Sequence, residues 1–258
     1  MKQYGWGLPL SASSYAGSID FGIYLIHAVM ILIFVIWGVF FTYLLIKYRK
    51  KTGVSAQRDE GHGVVKSLIP DIIVMVFEIV LIAVYAIPVW SKIKIDTPPS
   101  GKANMVAIEA QQWSWNIHYP GPDGKFGKTD PKYVHFSNPI GLDYKDPAAK
   151  DDIVIANELH LPVSKPTIIE LTSMDVIHSL FIPEFRLKQD AVPGMKIPVW
   201  VTPTKIGTFE ISCAQLCGMA HSFMRGRVIV QSQADYDAWL KSEAPKTAAA
   251  SVSASEAF

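Results

Sequence analysis

Hydrophobic and polar positions divide this chain into two long apolar runs followed by a region of short alternating ones. Residues from about 21 to 46 are almost continuously apolar and contain one weakly basic residue, His27. A second apolar run covers about 67–90 and contains Asp71 and Glu78. Each reaches the roughly 20 residues that a helix needs to cross a hydrocarbon core of about 30 Å. Beyond about residue 100 the period shortens. Runs rich in β-branched residues, MVAIEA near 105, WSWNIHY near 113, IVIAN near 153, TIIELT near 167, IPVWVT near 197, GTFEIS near 207 and GRVIVQ near 226, are separated by Pro, Gly, Asn and Asp. This spacing predicts a β-sandwich or barrel. The segment 119–152 reads as a long loop excursion, QADYDAWLKS near 233 as a terminal helix capped by Ser232, and the Ala/Ser-rich stretch from 243 as a disordered tail. The predicted organisation is an external N-terminal lead (1–20), a transmembrane helical hairpin (21–95), an all-β domain (96–242) and a tail (243–258).

Composition agrees with an anchor plus one polar domain: half of the residues are hydrophobic and the mean hydropathy is positive. The connection between the apolar runs carries Lys47, Arg49, Lys50, Lys51, Arg58 and Lys66. Short basic loops stay on the cytoplasmic side. Both termini and the β-domain are therefore expected on the outer side of the inner (plasma) membrane, facing the periplasm in a bacterium. The first run is too long for a signal peptide and no small-residue cleavage site follows it. Trp90, after Pro88, sits where an interfacial anchor belongs. Membrane lipid is thus an expected partner; a net charge of +1 gives no indication of nucleic acid.

The chain has two cysteines, so no disulfide framework is being built. Both lie in EISCAQLCGMAHSFMRGRV, where Cys213, Cys217, His221 and Met224 follow one another at spacings of four, four and three; His178 lies upstream in MDVIHSLFIP. Thiolate, imidazole and thioether ligands suit copper. One Cys with His and Met would make a mononuclear blue-copper site, whereas a second Cys allows both sulfurs to bridge a pair of metals. Plainer readings stand beside these. An exported C-x3-C pair can form a disulfide, a Cys2His2 set can hold zinc, and a lone Met usually packs in a core. Neither the disulfide nor zinc accounts for all five residues.

These residues resemble the binuclear copper A signature of cytochrome c oxidase subunit II, in which H-S is followed by C-A-E-L-C-G-x-x-H-x-x-M. Here the pattern reads His178-Ser179, then Cys213-Ala214-Gln215-Leu216-Cys217-Gly218-Met219-Ala220-His221-Ser222-Phe223-Met224. FIPEFRLKQDAVPGM is also similar to the family, as is the order of two spans and an external β-domain. The resemblance implies a cupredoxin-like Greek-key barrel and two bound copper ions. Cys213 and Cys217 would bridge them, His178 and Met224 would complete one, and His221 with the backbone carbonyl of Gln215 would complete the other. It further implies an electron-transfer role within an oxidoreductase that is also a proton-translocating enzyme. The partners would be a haem-bearing subunit I, where oxygen is reduced, the other oxidase subunits and a c-type cytochrome donor. The chain contains no C-x-x-C-H haem attachment motif, so the donor would be a separate protein or a partner subunit.

The resemblance has departures. Gln215 replaces the usual Glu, whose carboxylate helps to hold magnesium at the subunit I interface; a neutral amide is a poor substitute. QQWSWNIHYPG is similar to the family's aromatic segment, and Trp113 matches the tryptophan at which electrons enter, while Trp115 is expected in the core. Ser114, Ile117 and His118 replace aromatic or acidic residues, so apolar docking with weak electrostatic steering is expected. Asp71 and Glu78 lie on one face of the second span and are candidate functional residues, since carboxyls in a membrane are costly; the resemblance implies that one of them serves the entrance of a proton path. A membrane copper chaperone, a metal-free quinol oxidase subunit and a purely structural assembly subunit are the rival functions. Two spans with an all-β domain disfavour the first, and the full ligand set disfavours the others.

Overall fold

A computed structural model describes residues 7–50, 52–53 and 67–243. The chain divides into a helical unit, Ser18–Ile95, and a β-unit formed by Met1–Gly17 with Asp96–Phe258. The basic connection lies largely outside the described residues, as does the predicted tail (243–258) except for its first residue, which ends a helix.

In the helical unit, α1 spans Ala16–Lys47, 32 residues, or about 48 Å at ~1.5 Å per residue. That exceeds the hydrocarbon thickness. The second span runs Ile69–Lys94 as α2 (Ile69–Leu81), a π-turn (Ile82–Ala86) and α3 (Ile87–Lys94). Pro88 explains the interruption. It has no N–H to donate back one turn, and the Ile87 N–H bonds instead to the carbonyl of Ile82, five residues back. Such single π-turns are a common response to a local break in the helical ladder. Apolar side chains of both spans are exposed over nearly their whole length, as expected of segments made for lipid.

The β-unit is two packed five-stranded sheets. The first has the order β3-β2-β1-β5-β8, built from Ile153–Ala156, Ser114–Tyr119, Asn104–Gln111, Thr167–Ser173 and Ile197–Val201. The second has the order β4-β10-β9-β6-β7, built from Glu158–Pro162, Arg225–Gln231, Gly207–Cys213, His178–Ile182 and Leu187–Ala191. β1 and β5 run parallel, as do β4 and β10; the remaining pairs are antiparallel. This is the β-sandwich that the strand spacing predicts, in the cupredoxin-like form that the resemblance implies. Alternation puts Ile108, Trp115, Ile117, Leu171, Ile211 and Val228 in the core with no exposed surface. Each such side chain contributes about 1.5–3 kcal/mol by burial.

All seven predicted strands are present, with β4, β6 and β7 in addition. β7 (LKQDA) buries only its two ends, so its sequence carries little apolar signal. The 119–152 excursion has its own small core of Ile140, Leu142 and Ala149. His118 fastens it to the sheet: Nε2 lies 2.6 Å from Asp152 Oδ2, and the same oxygen accepts the Gly127 N–H at 2.7 Å. The departure of His118 from the family pattern thus has a structural role. The terminal helix, α4 (233–243), begins as predicted, with Ser232 Oγ accepting from Asp235 N at 3.1 Å.

The predicted N-terminal lead is not separate from the β-domain. Ala12 N donates to Glu184 O at 2.9 Å, Ser14 N to Thr202 O at 3.0 Å and Thr204 N to Ala12 O at 2.9 Å. The buried Ser13 hydroxyl caps Phe185 O. Helix α1 accordingly starts at Ala16, before the predicted residue 21, once the last of these contacts has been made.

Candidate metal centre

The second sheet brings the site residues to one end of the sandwich. β6 pairs antiparallel with β9 (Leu180↔Cys213), and β9 with β10 (Ser212↔Arg225). The start of β6, the end of β9 and the approach to β10 therefore meet. His178 opens β6, Cys213 closes β9 and Met224 immediately precedes β10. The loop between β9 and β10 supplies Gln215, Cys217 and His221, and Cys213 N bonds Met224 O at 3.2 Å across its base.

One ligand atom from each of His178, Cys213 and Cys217 lies within 4.8 Å of the others. The two sulfurs are 3.7 Å apart and both cysteines are free. That is well beyond the ~2.05 Å of a disulfide, so the disulfide reading is not what this fold adopts. His221 Nδ1 approaches Cys217 Sγ at 3.5 Å, Met224 Sδ approaches it at 3.8 Å, and Gln215 O stands 3.2 Å from Cys213 Sγ. All six residues singled out in the sequence as metal ligands thus converge. His178 is fully buried, and its Nδ1 has no hydrogen-bond partner. A buried nitrogen lone pair beside two thiols is costly unless it is satisfied, and a soft or borderline metal ion satisfies it while also suiting the sulfurs.

The site residues are held from behind. Trp115 is fully buried, with its ring edge-on to His178 at 6.3 Å between centroids. Asp175 Oδ1 lies 2.8 Å from His178 Nε2, and its Oδ2 accepts the Gln112 N–H at 2.7 Å. Burial pushes the Asp175 carboxyl up, but hydrogen bonds from His178 and from the backbone of Gln112 and Val176 outweigh it and leave it below the usual range. Burial, together with the adjacent Cys213 thiol, pushes the Cys217 thiol up to about 11.

The expectations outside the cluster have different settings. Trp113 lies on the two-residue turn of the β1–β2 hairpin, closed by the Gln111↔Ser114 pair, and is 39 % exposed. That turn reaches the metal loop: Gln112 Nε2 donates to Cys217 O at 2.8 Å. On that loop Leu216, Met219 and Phe223 are all more than three-quarters exposed, giving it an apolar surface. Asp71, in the first turn of α2, and Glu78 are both exposed in the helical unit. Sequence reasoning did not single out Asp175 or Gln112; the signal was an acid three residues before a ligand histidine and an amide before the turn tryptophan.

The periplasmic-domain model of cytochrome c oxidase subunit II matches residues 104–233, half of the chain and the whole of the region that builds this centre. The chain belongs to the cytochrome c oxidase subunit II family. It is 47 % identical over 142 residues to the alternative cytochrome c oxidase subunit 2 of Bradyrhizobium diazoefficiens, covering 55 % of this chain and 51 % of that one. It is 32 % identical over 149 residues to cytochrome c oxidase subunit 2 of Cereibacter sphaeroides, covering 53 % and 48 %. The chain thus spans about half the length of these curated relatives. Among solved structures, the periplasmic domain of subunit II of the Bradyrhizobium japonicum cytochrome oxidase is 27 % identical, with a TM-score of 0.44 and coverage of 58 % of this chain and 99 % of that one.

Proposed function

We propose that this chain is the electron-accepting subunit of a respiratory haem-copper oxidase. It takes single electrons from a reduced c-type cytochrome or an equivalent donor and passes them to the haem groups of a partner subunit I. Oxygen is reduced to water there, coupled to proton translocation. The observation that carries this reading is the convergence of Cys213, Cys217 and His178 in one buried cluster, with the Nδ1 of His178 unpartnered and with Met224 and His221 beside Cys217.

Cys213, Cys217, His178, His221, Met224 and the Gln215 carbonyl would hold a pair of copper ions. When bound, such a pair supplies a reversible one-electron centre with charge shared over both metals. The chain's contribution is rigidity. Three ligands sit at strand ends and the loop between them is tied across its base, so little of the protein must move as charge changes. Cys213 and Cys217 give up their protons on binding, since thiolates are the ligating form. The half-exposed Trp113 and the exposed apolar side chains of the metal loop would offer the docking face for the donor.

In the same reading the two apolar spans cross the bilayer, the basic connection faces the cytoplasm and the copper domain faces the periplasm. Asp71 or Glu78 would serve the entrance of a proton path. Gln215, presenting an uncharged amide, would leave the magnesium contact of the subunit I interface weak. The experiment is rapid mixing of the copper-loaded full chain in detergent with a reduced c-type cytochrome, followed optically. Fast cytochrome oxidation that disappears in Cys217→Ser is expected. Oxidation that proceeds equally well without the cysteine would contradict the proposal.

A further inference from the structure

We propose that Asp175 and Gln112 form a clamp that sets the tautomer of His178 and ties the Trp113 turn to the same ligand. This inference rests on the copper reading and assigns positioning roles to residues that are not themselves ligands. A neutral imidazole has one N–H, and a carboxylate only accepts. With Asp175 Oδ1 2.8 Å from Nε2, the proton of His178 sits on Nε2. The lone pair is left on Nδ1, the nitrogen without a protein partner. A carboxylate behind a ligand imidazole fixes its orientation and raises its basicity.

The second oxygen of Asp175 extends the clamp. It accepts the Gln112 N–H at 2.7 Å, and the Gln112 side chain donates to Cys217 O at 2.8 Å. One carboxylate and one amide thus link β6, the β1–β2 turn and the metal loop. Asp175 is itself held, because Val176 N also donates to Oδ1 at 2.6 Å. The docking face around Trp113 and the ligand His178 are therefore positioned by the same two side chains.

The test uses the full chain in detergent with 15N-labelled histidine, as wild type, Asp175→Asn, Asp175→Ala and Gln112→Ala. In the metal-free wild type, nitrogen NMR should show His178 as the Nε2–H tautomer. Asp175→Ala should give mixed tautomers and lose about 10–100-fold in copper affinity, the usual effect of removing such a partner. Asp175→Asn keeps an acceptor and loses the charge, so it should hold the tautomer and restore much of the affinity while the reduction potential of the copper centre shifts upward. Gln112→Ala should slow reduction by the donor and leave the potential in place. If Asp175→Ala does not fold, Asp175→Asn decides. Unchanged tautomer and affinity in Asp175→Ala, or an unmoved potential in Asp175→Asn, would overturn the clamp. Failure of the wild type to bind copper would instead strike the underlying copper reading, and the metal-free tautomer measurement stands apart from it.

Discussion

The ring of Trp113 lies directly over the backbone of Gly218: a β-carbon added at Gly218 would stand 3.3 Å from Cζ2 and 3.4 Å from Nε1 of the indole. Gly218 has φ +120°, a conformation that L side chains rarely adopt, and the same added carbon would be 2.8 Å from Gln112 Nε2. Gly218→Ala is therefore expected to cost about 1–3 kcal/mol in strain, to push the Gln112 amide from its place and to shift the Trp113 ring by a few tenths of an ångström. Denaturant titration should show the loss of stability, and rapid mixing with reduced cytochrome should show slower uptake of electrons.

Trp115 packs behind His178 with no exposed surface. Trp115→Ala should destabilise the β-domain by about 3–5 kcal/mol, the usual cost of such a truncation. It should also weaken copper retention, because His178 loses the surface that holds its ring. Denaturant midpoints and copper analysis after dialysis check the two effects separately.

Burial raises the Glu109 carboxyl from 4.5 to about 6, with Lys196 pulling the other way. The folded state thus holds this proton more tightly than the unfolded chain. The stabilisation is full below pH 4.5 and is lost as pH rises through about 6, because across that window the folded state binds more protons. Comparing thermal midpoints of wild type and Glu109→Gln over this range isolates the contribution; the variant should lack that part of the slope.

The exposed side chains Leu216, Met219 and Phe223 of the metal loop carry no charge, and surface electrostatics are screened within about 8 Å at physiological salt. Donor oxidation should therefore fall only gently as salt is added. Phe223→Glu, at a position 81 % exposed, should weaken docking without altering the fold. Steady-state kinetics against ionic strength measures both.

In the assembled oxidase, Asp71→Asn or Glu78→Gln should slow proton-coupled turnover while reduction of the copper centre stays fast. Single-turnover absorbance changes and proton uptake separate the two. Unchanged turnover in both variants would remove the proton role.

Legibility followed physical signal. The strands with alternating β-branched residues and the apolar spans were readable because burial demands a period of 2 or a continuous run. β4 (ELHLP) and β7 (LKQDA) were not, because their polar side chains hide the pattern. A metal site was legible because Cys213, Cys217, His221 and Met224 crowd into one short stretch, whereas the full ligand set, with His178 and the Gln215 carbonyl, came from the resemblance to the family signature. The clamp could not: Asp175 and Gln112 are 63 residues apart and meet only because both sheets end at the same place. The docking of residues 12–14 on the β-domain was hidden for the same reason, being made mostly of backbone hydrogen bonds that no side-chain pattern announces.

The central claim is that Cys213, Cys217, His178 and His221 hold a pair of copper ions as a single electron reservoir. Metal analysis combined with electron paramagnetic resonance of the purified full chain tests it most directly. A pair of coppers per chain, with one unpaired spin spread equally over both nuclei, is predicted. Zinc in their place, or a spectrum in which the spin sits on one copper alone, would contradict it.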